Sequence, residues 1–208
     1  MFLDYLTNDP AYYLTVVSCV IISIVLHELG HGLAAISQGD DTPIRTGHIT
    51  LSPFVHMGGM GLAMLFVAGI AFGVMPVDPS RFRNRHGDAL VAAAGPGVNL
   101  AIGIACLTSY GILLRSGIEP RIGGTDPLWI IGQLNLVLCG FNLIPIAPLD
   151  GSAILGSFVP AYRDFIRRPE NGKYIWIMFG IVFFSAPHLF SFGAEMAMLY
   201  TRWIVNLQ

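Results

Sequence analysis

Tyr12 to Ile36 reads YYLTVVSCVIISIVLHELGHGLAAI, an apolar run long enough, as a helix, to cross a hydrocarbon core of ~30 Å, which takes about 20 residues. Its only acidic, basic or imidazole side chains are His27, Glu28 and His31. Two histidines spaced i, i+4 project from one face of a helix about one turn apart and can share a metal ion. Glu28 then stands beside the metal, where a carboxylate can take the proton of an attacking water. Five residues of this kind recur by chance, but polar groups at such depth are costly and usually functional.

The rest of the chain supports a membrane setting. Of its 208 residues 54% are hydrophobic and 12% charged, about half the charged fraction of a soluble domain. That length accommodates a compact helical bundle without an additional soluble module, so residues 1–208 read as a single integral-membrane domain. Formal net charge is -2, and Lys and Arg lie in short clusters between apolar runs, which argues against nucleic-acid binding. Cys19, Cys106 and Cys139 each sit in an apolar run, so no disulfide or Cys-based metal site is expected. Met1 to Pro10 carries Asp4 and Asp9 but no Lys or Arg, unlike a secretory signal, so the first apolar run is expected to be retained.

Spans are expected at about 12–36, 89–114, 128–149 and 174–205, the last as one crossing or two shorter ones. Between the first two, residues 45–51 (RTGHITL) alternate with strand periodicity, which suggests a short hairpin. Gly58 to Val77 is uncharged but rich in glycine and ends near Pro76, so it could cross or dip in and return. If it returns, one side holds Arg45, Arg81, Arg83, Arg85, Arg163, Arg167, Arg168 and Lys173 against Arg115 and Arg121 opposite. Cytoplasmic loops are enriched in such residues, so the basic side reads as cytoplasmic. If the segment crosses, Arg45 changes side and the bias weakens slightly.

A catalytic zinc site has three protein ligands and an open position. The best candidate for the third is Asp150, at the end of the third span in NLIPIAPLDG (142–151), where Pro145 and Pro148 interrupt the helix and Gly151 permits a turn. Depth then constrains topology. His27 lies roughly 22 Å below Tyr12 and His31 roughly 28 Å, while Asp150 lies at most roughly 33 Å along a run from Leu128. The first and third spans must run in the same direction for these groups to meet. Gly58 to Val77 must therefore return to the side it entered from.

With these segments in order, namely HELGH (27–31), the hairpin-like stretch, MPVDP (75–79), AGPGVN (94–99) and residues 142–151, most of the chain resembles the site-2 proteases, intramembrane zinc metalloproteases, in their compact form. The resemblance implies that His27, His31 and Asp150 bind one catalytic Zn2+ and that Glu28 is general base and proton shuttle. It places Asn142 against the scissile carbonyl and its oxyanion. Gly95 and Asn99 match a Gly-x-x-x-Asn pattern that suits close helix packing, with Asn99 bonding across it. Residues 44–54 would lie in the membrane and pair with an extended substrate strand. Ala147 stands where the family often has proline, and residues 54–61 are unusually glycine-rich, both departures that bear on substrate handling. His48, His56, His86 and His188 match no ligand position, His56 being nearest to a gating role.

The expected fold is thus an all-α polytopic membrane protein of about 4–6 transmembrane helices, with a membrane-associated β-hairpin or re-entrant segment at 44–77. The expected activity is cleavage of membrane-anchored protein substrates in or near their transmembrane segments, in the bilayer of a cell inner or plasma membrane, with the active site toward the cytoplasm. A non-hydrolytic metal-binding membrane protein leaves Glu28 unexplained. An inactive scaffold homologue would tolerate loss of Glu28 or a ligand, and all of these residues are present.

Overall fold

The computed structural model describes residues 4–119 and 126–206, all of whose regular secondary structure is helical. A short α1 (Asp4–Asn8) leads into α2 (Pro10–Ser37), opened by Pro10 and by Asp9, whose side chain accepts the Tyr12 N–H. The helix stops at Gly39, whose φ of 99° lets the Asp40 N–H bond back to the Ala35 carbonyl.

Residues 44–54 form no strand. Pro43 instead starts a single turn, α3 (Thr42–Arg45), Gly47 has φ 72°, and the His48 N–H bonds to the Pro43 carbonyl. The Ser52 N–H bonds to the Thr50 side chain, and Pro53 begins the next helix. Local bonds and prolines thus take the backbone groups that a strand partner would need.

The helix that follows, α4 (Pro53–Ala68), is broken at Gly58 and capped by Gly69 at φ 71°. Its far end lies beside the start of α2, where the Tyr13 hydroxyl donates to the Phe66 carbonyl at 2.6 Å. Tyr13, Val17, Ile24, Met57, Leu62 and Leu65 form the core between the two helices. An irregular limb, residues 70–77, then climbs back. The Val74 N–H reaches the His56 carbonyl at 2.9 Å, and Gly73 lies directly against Ile24 and Glu28. Fully buried Asp40 accepts the Asp78 N–H at 2.7 Å and the Thr42 N–H at 2.9 Å, and Arg83 N–H bonds the Gln38 carbonyl. The chain has thereby returned to the end of α2 from which it left.

Antiparallel to α2 runs α5 (Gly87–Arg115), followed by the parallel α6 (Pro127–Asn142). The helices approach closely at glycines. A Cβ on Gly30 would stand 2.8 Å from Val98 Cγ2, one on Gly132 2.7 Å from Leu107 Cγ, and one on Gly111 2.8 Å from Ile204 Cγ2. The third span is shorter than expected, because α6 ends at Asn142 and residues 143–149 form turns around Pro145 and Pro148. Its 16 residues extend about 24 Å.

Two short helices, α7 (Asp150–Phe158) and α8 (Pro160–Arg167), lead to α9 (Gly172–Phe184) and α10 (Ala186–Val205), which bend by 48° at Ser185. Among the described residues α2 and α5 are long and apolar enough to span a membrane, and the bent α9–α10 pair makes a third span if it counts as one. Arg121, counted above among the basic residues, lies outside the described residues.

Candidate active site

Three helices deliver the polar groups. From α2, His27, Glu28 and His31 are buried, and the turn after α6 swings Asp150 toward them. Gly151 makes that turn possible, since a Cβ there would overlap the carbonyls of Leu143 and Ile144. Asp150 Oδ2 lies 3.2 Å from His27 Nε2, and Oδ1 lies 3.4 Å from His31 Nε2. The two Nε2 atoms are 2.9 Å apart. On α5, Gly95 leaves room for both rings, because a Cβ would collide with their Nε2 atoms.

The protons on these rings can be assigned from their outer partners. His31 Nδ1 is 2.7 Å from the Val91 carbonyl, which can only accept, so Nδ1 carries the hydrogen. His27 Nδ1 is 2.5 Å from Asn99 Oδ1 and donates in the same way. Both Nε2 atoms of the neutral rings therefore present lone pairs to each other and to a carboxylate. With the rings neutral, these three acceptors converge with no hydrogen between them, an arrangement that a bound cation would satisfy. Asp150 Oδ2, moreover, is buried with no hydrogen-bond partner. Two imidazole nitrogens and one carboxylate are a donor set that zinc takes, and among the described residues no other group of His, Cys, Asp or Glu is arranged to hold a metal.

A cavity of about 760 Å³ opens onto this cluster, lined by Glu28, Asn99 and Asn142 as well as the three donors, with residues 70–75 along one wall. Gly73 passes so close to Glu28 that a Cβ there would lie 2.5 Å from its Oε1. Asn142 donates one amide hydrogen to the Leu138 carbonyl at 3.0 Å and faces the cavity.

A family model for Peptidase family M50 matches residues 111–187. YwhC of Bacillus subtilis is 34% identical over 173 residues, 79% of this chain and 77% of that one. Rip2 of Mycobacterium tuberculosis is 33% identical over 184 residues, covering 85% and 69%. The chain belongs to peptidase family M50. MJ0392 of Methanocaldococcus jannaschii is 30% identical over 160 residues, 77% of this chain and 39% of that protein. All three relatives carry zinc metalloprotease in their names. No solved structure matches. As a member of this family, that of the site-2 proteases, the protein is an integral membrane zinc metalloprotease.

The remaining histidines stay apart from the cluster. His48 bonds Thr46, His56 Nε2 donates to the Thr50 carbonyl at 2.8 Å, and His86 stacks on Phe158. The cysteines are free. Sequence reasoning missed Asn135 and Ser23, both fully buried behind Asn99. The one available signal was that Asn135 precedes Asn142 by seven residues and so shares its helix face.

Proposed function

We propose that this M50 peptidase hydrolyses a peptide bond in or near the transmembrane segment of a membrane-anchored protein, with His27, His31 and Asp150 holding the zinc. The observation that carries this reading is the convergence of two imidazole lone pairs and a carboxylate inside an apolar span, next to Glu28. Bound zinc supplies a Lewis acid that polarises the scissile carbonyl and lowers the pKa of water. Glu28 takes the proton of the attacking water on its carboxylate and returns it to the departing amide nitrogen. Asn142, with one amide hydrogen still available, donates to the carbonyl oxygen as charge develops there. The limb 70–77, with Phe72 and Val74 exposed, replaces the expected hairpin as the edge along which an extended substrate lies.

In this reading residues 1–208 form one membrane domain that crosses four times, by α2, α5, α6 with its following turns, and the bent α9–α10 pair, with residues 44–77 re-entrant. The excess of Arg and Lys at the α2 C-terminal end supports a cytoplasmic active-site side of an inner or plasma membrane. In right-side-out cells, a membrane-impermeant thiol reagent is expected to label Arg83→Cys only after the membrane is opened, and labelling of intact cells overturns the orientation.

The decisive test compares cleavage of a single-span substrate by wild type and Glu28→Gln, with zinc measured in both. A loss of about 10²–10⁴-fold with zinc retained is expected. Retained cleavage sinks the mechanism.

A further inference from the structure

The polar contacts behind His27 continue through the bundle. Asn99 Nδ2 donates to Asn135 Oδ1 at 2.7 Å, Asn135 Nδ2 donates to the Ser23 hydroxyl and to the Ile131 carbonyl, both at 2.8 Å, and the Ser23 hydroxyl donates to the Cys19 carbonyl at 2.7 Å. Ser23, Asn99 and Asn135 are all fully buried. The chain thus links α2, α5 and α6 one turn below the metal cluster.

Its direction is fixed at the far end. The Ile131 carbonyl can only accept, so it must face the Asn135 amide nitrogen, which leaves Asn135 Oδ1 toward Asn99. Asn99 must then present its own nitrogen to Asn135 and its oxygen to His27. That oxygen can be satisfied only by a hydrogen on His27 Nδ1, which in the neutral ring leaves the Nε2 lone pair toward His31 and Asp150. An amide, rather than a carboxylate, is needed at position 99 because this residue must accept on one side and donate on the other.

We propose that Asn135 and Ser23 are positioning residues: through Asn99 they fix the tautomer and ring orientation of His27, so that zinc affinity depends on a backbone carbonyl of α6 three hydrogen bonds removed from the ligand. The inference rests on His27 being a zinc ligand. Partners outside the ligands typically alter metal affinity by about 10–100-fold. Interhelical packing is the competing role for such bonds in a membrane protein. Packing alone would lower the stability of zinc-free and zinc-loaded protein equally and leave zinc affinity untouched.

The experiment measures zinc affinity of the full chain in detergent by competition with a chromophoric chelator, alongside melting of zinc-free and zinc-loaded protein. Asn135→Leu is expected to weaken zinc about 10–100-fold and to lower the loaded melting point more than the zinc-free one. Ser23→Ala, which leaves Asn135 bonded to Ile131, should give a smaller loss in the same direction and covers the case in which Asn135→Leu does not fold. In an Asn99→Ala background, Asn135→Leu should change zinc affinity less than about 2-fold, because its route to His27 is already cut. Equal losses in both backgrounds, or unchanged affinity in Asn135→Leu and Ser23→Ala, overturn the proposal. His27→Ala separates the two readings, since unchanged zinc binding there removes the ligand assignment on which the inference rests.

Discussion

Helices α2, α5 and α6 meet the demands of a bilayer by joining polar groups in their interior, whereas α9 and the outer face of α10 meet them by turning apolar surface outward. In the first group Ser23, His27, Glu28, His31, Asn99 and Asn135 are buried, and the helices close around glycines. In the second, α9 buries no residue, and Trp176, Ile181 and Phe184 are 66, 67 and 83% exposed. Apolar surface facing lipid has no comparable demand for a particular partner, while an unpaired polar group in the interior costs several kcal/mol. Substitutions of the same kind should therefore have very different consequences in the two regions, and glycine to alanine makes the comparison with a single methyl group.

Gly95→Ala should have the largest effect. The new Cβ would overlap both histidine rings, and relieving such overpacking costs about 1–3 kcal/mol. If the rings yield, that cost is expressed as roughly 5- to 150-fold weaker zinc binding. Zinc competition on the purified variant measures it. Unaltered affinity would mean that α5, rather than the histidines, gives way, and that the metal cluster is softer than its packing implies.

The same contrast explains which features could be read without coordinates. His27, Glu28 and His31 stood out because helical periodicity and apolar surroundings are local properties, and Asp150 was the candidate third ligand because it borders an apolar run where Pro145 and Pro148 break the helix; the structure brings His27, His31 and Asp150 together. Depth also led to the expectation that residues 58–77 return to the side they enter from. The strand alternation of residues 45–51 misled because Pro43, Pro53, Gly47 and the Thr50 side chain satisfy the backbone locally, and no term in a period-2 pattern records that. The same prolines that flagged Asp150 also cut α6 short at Asn142. Asn135 and Ser23 were out of reach for a different reason. A small polar residue in an apolar helix is unremarkable until the partner across the interface is known, and that partner is 36 residues away for Asn99–Asn135 and 112 for Ser23–Asn135.

Asp40, beyond the end of α2, offers an intermediate case outside the spans. Burial works against its charge, but hydrogen bonds from Thr42 and the Asp78 N–H, with Arg81 nearby, outweigh it and hold the carboxyl below its ordinary range. A carboxyl depressed in the folded state contributes stability above its unfolded pKa of about 3.9 and loses it as pH falls through the folded value. Asp40→Asn should therefore melt below wild type at about pH 7, with the gap closing as the solution is taken to about pH 3. A gap independent of pH would assign the contribution of Asp40 to shape rather than charge.

The smallest effect is expected at Gly180→Ala, in the middle of α9, where an added Cβ meets no atom within 4 Å. Alanine narrows the conformational freedom that glycine gives the unfolded chain, which stabilises a helix interior by up to about 1 kcal/mol. Zinc affinity and cleavage should match wild type and the melting point should hold or rise slightly. The variant is informative because α9 also contributes Phe179 and Phe183 to the wall of the active-site cavity. If stiffening α9 leaves melting unchanged yet slows cleavage of a spanning substrate, this lipid-facing helix has to flex for substrate to enter. The division between a polar, site-building group of helices and an inert apolar one would then fail at that point.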